Sequence, residues 1–195
     1  MGDRNQELLI KKLVPSFEGP ILEIGSKDYG STYSIRKENP DVEYMGVDLE
    51  AGPNVDMVLD IETQSEHLTQ NYFGLILCCS VMEHTKRPWV MAEKIQNLLK
   101  PGGQVFLSVP WVWRYHMYPD DYWRFSPTSL PLLFPDLSWS DAMYSTNIPG
   151  EHIPFVPGSS DTDNSVRITL EVQTDIHRVY MPYLMVNAVG TRPRT

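Results

Sequence analysis

The run FGLILCCSV, residues 73–81, carries no charge and only one hydroxyl. A strand with one face in water alternates polar and apolar side chains, so an unbroken apolar run reads as a strand covered on both faces, as in the middle of a parallel sheet. The flanking segments fit that constraint. ILEI (21–24), YMGVD (44–48) and DMVLD (56–60) read as strands before it, and QVFLSVP (104–110) as one after it. Between them RPWVMAEKIQNLLKPGG places Met91, Ile95, Leu98 and Leu99 at helical spacing and stops at Pro-Gly-Gly. STYSIRKENP predicts a modest helix, and Leu9, Ile10 and Leu13 predict a leading one that ends before Pro15, Gly19 and Pro20. Strand-helix alternation with short connections predicts an α/β fold with a doubly wound, mostly parallel sheet. Toward the end, Ser126-Pro127 reads as a helix cap and first position, and residues 150–165 as a loop. VRITLEV and YLMVNAVG suggest a closing antiparallel hairpin. The length suits one domain over residues 1–195 with no separate lid domain.

A net charge of −9 and a pI near 4.9 argue against a broad grip on phosphate, so duplex nucleic acid is an unexpected partner. Cys78 and Cys79, adjacent in an apolar strand, suit packing in a reducing compartment better than a disulfide framework. No stretch approaches the roughly 20 apolar residues of a membrane span, and the start MGDRNQELLIKKLVP lacks a signal-peptide core. Gln6 also stands where a myristoylation signal needs Ser or Thr. A cytoplasmic protein is expected. Nothing resembles a cysteine or histidine metal box, so no metal is expected.

GPILEIGSKDYGSTY, residues 19–33, runs a strand into a glycine turn. A nucleotide at that position needs close backbone approach at the turn and an acid at the end of the second strand for the ribose hydroxyls. Gly25 and Asp48 have those positions, at close to the roughly 20-residue offset of dinucleotide sites. The pyrophosphate fingerprint G-x-G-x-x-G is absent, and GSKDYG stands in its place. S-adenosylmethionine has no phosphates and makes no such demand. ILEIGSKDYG, YMGVDLE, DMVLDIE, FGLILCCSVMEH and LLKPGGQVFLSVP, in this order and spacing, resemble the motifs of class I S-adenosylmethionine-dependent methyltransferases, notably the type 11 family, over roughly residues 19–110. The resemblance implies a cofactor site with Glu23 as the first-strand acid, Gly25, Ser26 and Lys27 in the turn, and Asp48 with Leu49 at the ribose. It further implies Asp60 and Ile61 at the adenine and Ser80 at the methionine end, with Glu83 and His84 matching the family's Glu-His pair. Two departures stand out. Lys27 and Tyr29 replace later glycines, and Gly74 occupies a common aspartate position.

Each residue also has a plainer use. An aspartate after a strand is more often a cap or turn residue than a ligand, which applies most to Asp60, and His84 could simply satisfy loop backbone. The aromatic segment WVWRYHMYPDDYWRFSPTSL could close a hydrophobic edge, or could wall an acceptor pocket, since it leaves a parallel strand at its carboxyl end. YPDDYWRFSPTSL resembles the same region of family members that act in glycan and secondary-metabolite pathways. In the functional reading His116, Asp121 and His84, in that order, are the candidate general bases for a hydroxyl acceptor. CSVMEH stands where base-methylating enzymes carry an Asn or Asp-Pro-Pro-aromatic turn, so nucleobase methylation is not expected. The expected function is methyl transfer to a small-molecule or glycan acceptor, at oxygen. The alternatives are a catalytically silent methyltransferase-like cofactor-binding or regulatory protein and, more distantly, a nicotinamide oxidoreductase.

Overall fold

The computed structural model describes residues 2–30, 33–117, 119–140, 142–156 and 183–194. The chain opens with α1 (Gly2–Leu13), β1 (Ile21–Ile24), α2 (Ile35–Glu38), β2 (Tyr44–Asp48), β3 (Met57–Val58) and α3 (Ile61–Gln64). A 3-10 turn at Ser65–His67 leads to β4 (Phe73–Cys79), and a second at Met82–His84 leads to α4 (Pro88–Leu98) and β5 (Leu99–Val112). Then come α5 (Ser129–Leu133), β6 (Ser138–Trp139), β7 (Met143–Ser145), β8 (His152–Pro154) and β9 (Leu184–Thr191). The strands make one sheet in the order β3-β2-β1-β4-β5-β9-β7-β8, with β6 also against β9. The half from β3 to β5 is parallel, and β9, β7 and β8 run antiparallel.

The period of two along each strand sorts side chains into two cores. Ile21, Leu75, Leu77, Phe106 and Val189 face α1 and α2, meeting Leu9, Ile10, Val14 and Ile35. Leu22, Ile24, Ile76, Cys78, Val105, Leu107 and Ala188 face the other way, onto Ile61, Met91, Ile95, Leu98 and Leu130 of α3, α4 and α5 and onto Phe134 just after α5. Helices on both faces of the sheet are the doubly wound architecture expected, with the antiparallel part at the C-terminal end larger than a single hairpin. Cys78 lies in the second core and neither cysteine is in a disulfide. Among the described residues no helix is long and apolar enough to cross a membrane.

Local differences have local causes. Leu99 leaves α4, because the chain turns extended there (ψ 136°) and pairs with Phe73; Pro101 disfavours helix just before it. Ser126-Pro127 precedes α5 instead of starting it: the Ser126 carbonyl accepts the Ser129 N–H, and the helix cap position falls to Thr128. Gly74 has a steric reason. A Cβ there would lie 1.5 Å from the Glu18 carbonyl oxygen, and the Gly74 N–H donates to Pro20. VRITLEV lies outside the described residues, as does the end of the 150–165 loop; YLMVNAVG supplies β9.

Candidate functional site

The carboxyl ends of β1, β2 and β4 open on a cleft of about 990 Å³. Gly25, Asp48, Leu49, Asp60, Ile61, Ser80 and His84 line it; Glu23, Ser26, Lys27, His116 and Asp121 do not. Gly25 turns the chain at φ +74°, and a Cβ there would meet Val81 Cγ2 at 2.4 Å, so the fold itself requires glycine. Asp48 Oδ2 accepts the Lys27 N–H and its Oδ1 the Glu50 N–H, both at 3.1 Å. Each oxygen keeps a further lone pair, which is what a ribose diol needs. Asp60 is both a lining residue and the N-cap of α3, bonded to Glu62 N and Thr63 Oγ1 at 2.9 Å. Ile24, Val47, Leu59, Ile61 and Met91 give the cleft apolar walls suited to a purine.

The remaining turn residues have other work. Glu23 points to the α1 face of the sheet, where it accepts from Tyr44 Oη at 2.5 Å; Asn54 Nδ2 bridges to that hydroxyl and to the Ser26 carbonyl. Burial raises the Glu23 carboxyl above its ordinary range, partly offset by those donors. Ser26 is buried beside Gly46. Lys27 reaches Glu50 at 2.7 Å and lies over the Tyr29 ring, which brings Tyr29 to the cleft in place of glycine.

At the other end, Ser80 closes β4 at φ +54°, an unusual backbone for a side-chain-bearing residue, with its N–H on the Ser108 carbonyl. Beyond it Glu83 is 1% exposed, with Oε2 lacking a hydrogen-bond partner, and burial pushes its carboxyl up to about 8. His84 Nδ1 lies 2.5 Å from the Asp120 carbonyl oxygen. A carbonyl only accepts, so that nitrogen carries the hydrogen and Nε2 the lone pair. Burial also lowers the His84 pKa, favouring the neutral ring. The His116 ring stands edge-on to it, centroids 4.9 Å apart.

Asp121 is fully engaged. Arg124 holds it through both terminal nitrogens, at 2.5 and 2.7 Å, and the His116 N–H donates at 2.8 Å. The guanidinium keeps this carboxyl well below the usual carboxylate range, which leaves it a poor base. It lies 3.2 Å from His116 Nδ1 and orients that ring. Arg124 also donates to the carbonyls of Trp113, Arg114 and Trp123, stapling the aromatic segment to the end of β5. Met117, Pro119, Asp120 and Tyr122 of this segment line the cleft, Tyr115 is exposed, and Phe125 is buried in the core, so the segment both borders the opening and packs on the sheet. Cys79, Thr85, Lys86 and Arg87 also line it, unforeseen from sequence. Only the apolar context of Cys79 was readable there, and it suggested packing.

Residues 4–160 match a family described as a methyltransferase domain. A stretch of 62 residues is 37% identical to the ubiquinone biosynthesis O-methyltransferase of Klebsiella pneumoniae, covering 31% of this chain and 25% of that protein. The match thus spans a quarter of the curated relative's length. The fold is similar to a SAM-dependent methyltransferase from Archaeoglobus fulgidus (TM-score 0.60, 14% identity, 97% of this chain and 94% of that one). It is also similar to Haemonchus contortus phosphoethanolamine N-methyltransferase 2 in complex with S-adenosyl-L-methionine (TM-score 0.58, 14% identity, 97% and 52%).

Proposed function

The chain belongs to the methyltransferase-domain family, and from that membership we propose that it methylates an oxygen of a small-molecule or glycan acceptor. Methyl transfer and the S-adenosylmethionine cofactor come with the family and its fold; acceptor, methylated atom and residue roles are the proposal. One cleft joins the two ends such a reaction needs, with Asp48 at one and His84 at the other. Free lone pairs on Asp48, apolar walls and the absence of a phosphate turn support seating the nucleoside at the Asp48 end, with Leu49, Asp60 and Ile61 around it. Gly25 and Ser80 then border the methionine portion.

When bound, the cofactor supplies a sulfonium-activated methyl group. The protein's own part is alignment, which can contribute on the order of 7–11 kcal/mol, and disposal of the acceptor proton. His84 and His116 offer ring nitrogens to that proton, and Asp121 is the positioning residue behind His116. Oxygen as the target is supported by this hydroxyl-deprotonating pair and by the O-methyltransferase name of the curated relative. Met117 and Tyr122 offer faces for the acceptor. Cys78 and Cys79, neither of them in a disulfide, support a reducing, cytoplasmic setting.

The test is an acceptor screen with isotopically labelled cofactor, paired with adenosylhomocysteine titration. Once an acceptor is found, His116→Ala should lower turnover about 10²- to 10⁴-fold with adenosylhomocysteine affinity intact. Full single-turnover activity in that variant removes the loop from the chemistry.

A further inference from the structure

Glu83 and His84 follow β4, His116 follows β5, and no local sequence spacing relates them. The fold nevertheless brings one ligand atom of each within 4.8 Å of the other two. Both imidazoles are already oriented. The Nδ1–H of His84 is committed to the Asp120 carbonyl at 2.5 Å. His116 Nδ1 lies 3.2 Å from Asp121 Oδ2 and 3.4 Å from the Arg114 carbonyl, both acceptors, so it too carries the hydrogen. Each ring is left with an Nε2 lone pair. Glu83 brings a third acceptor, its Oε1 3.8 Å from His84 Nε2 and its Oε2 buried without a partner.

Two imidazole lone pairs converge beside a buried carboxyl whose Oε2 has no partner, and a cation would satisfy all three while displacing the carboxyl proton. We propose that Glu83, His84 and His116 bind a divalent transition-metal ion of the zinc class, with the Asp120 carbonyl and the Asp121 carboxylate fixing the two histidines from behind. Two imidazoles and one carboxylate with an open fourth position form a donor set that suits zinc, whereas magnesium and calcium prefer oxygen ligands. Metal-bound histidines characteristically give their other N–H to a carbonyl or carboxylate, as His84 does to Asp120 and His116 to Arg114, with the Asp121 carboxylate 3.2 Å from the same His116 nitrogen. Around a tetrahedral ion with bonds of about 2.1 Å, ligand atoms stand roughly 3.4 Å apart, so closure needs shifts on the order of 1 Å.

The ion's role rests on the proposed function, although its binding does not. His84 lines the cleft, so the open position borders the proposed acceptor end. With the ion bound, both Nε2 lone pairs are committed to it, so the ion replaces the histidines as the means of deprotonation and an acceptor hydroxyl there loses its proton to solvent. Its oxygen–methyl bond forms as the methyl–sulfur bond breaks, and the sulfonium becomes a neutral thioether.

The experiment uses the full chain stripped with chelator, without cofactor or acceptor. Zn²⁺ is followed by calorimetry and Co²⁺ by its visible ligand-field bands. One equivalent of each should bind, with a tetrahedral Co²⁺ spectrum. His84→Ala and His116→Ala should each weaken Zn²⁺ binding by more than about 10-fold, and Asp121→Asn by about 10- to 100-fold. His67→Ala, at an exposed histidine in the Ser65–His67 turn, should change nothing. His84→Asn and His116→Asn replace any alanine variant whose circular dichroism shows unfolding. No binding to the wild-type chain, or equal binding in both histidine variants, overturns the proposal. Adenosylhomocysteine titration of the same preparation separates the two readings: cofactor binding without metal binding refutes only the metal site, and the reverse refutes only the cofactor site.

Discussion

Asp48 has a structural use that the proposed ribose contact would share. Two backbone N–H groups fix its carboxylate at the end of β2, where the residue lines the cleft and each oxygen keeps acceptor capacity. Hydrogen bonds to a charged group are worth about 1.5–3 kcal/mol, so Asp48→Ala should weaken adenosylhomocysteine binding by that amount in calorimetry. Unchanged affinity in a folded variant would remove Asp48 from the site. Gly25→Ala is a poorer probe, because Val81 and the positive φ already exclude a Cβ without any cofactor. Glu23 makes a prediction of a different kind. Its raised carboxyl pKa means the folded chain holds that proton to higher pH than the unfolded chain, whose ordinary value is 4.5. The contribution is whole below 4.5 and is lost as pH rises through the folded value. Glu23→Gln should therefore lose less stability than wild type between pH 4.5 and neutrality, as read from thermal midpoints. Parallel curves would contradict the assignment.

Among the elements, those set by a continuous local pattern were legible in the sequence. YMGVD became β2 and FGLILCC became β4, because period and burial are decided within each segment. DMVLD shrank to two paired residues and STYSIRKENP to a four-residue helix, where few apolar side chains have a core to enter. The Asp121–Arg124 pair and the path of the aromatic segment are tertiary facts. So is the meeting of His84 with His116, which no local spacing announces. Arg124 stabilises this segment through a carboxylate and three carbonyls at once. Arg124→Ala should cost about 2–3 kcal/mol, since it leaves the buried Asp121 charge short of its main partner. Denaturant unfolding measures that loss, and a change below about 0.5 kcal/mol would show the segment to be held by other contacts.

At the scale of the whole molecule the sheet divides the labour. Its parallel half ends in the loops that make the cleft. The antiparallel strands β9, β7 and β8 extend the opposite edge, and Asn5 of α1 ties the loop between β7 and β8 back to the first helix through Thr146, Ile148 and Gly150. With the chain's start and this loop joined on one face, the cleft at the strand ends keeps its walls on α3, the turn after β4 and the segment after β5. The most direct measurement is a crystal structure of the full chain with adenosylhomocysteine. The account predicts the ribose hydroxyls on Asp48, the adenine between Leu49 and Ile61 near Asp60, and the sulfur on the Ser80 side of the cleft, directed toward His84. A nucleoside bound away from Asp48, or a sulfur facing away from the His84 end, would contradict it.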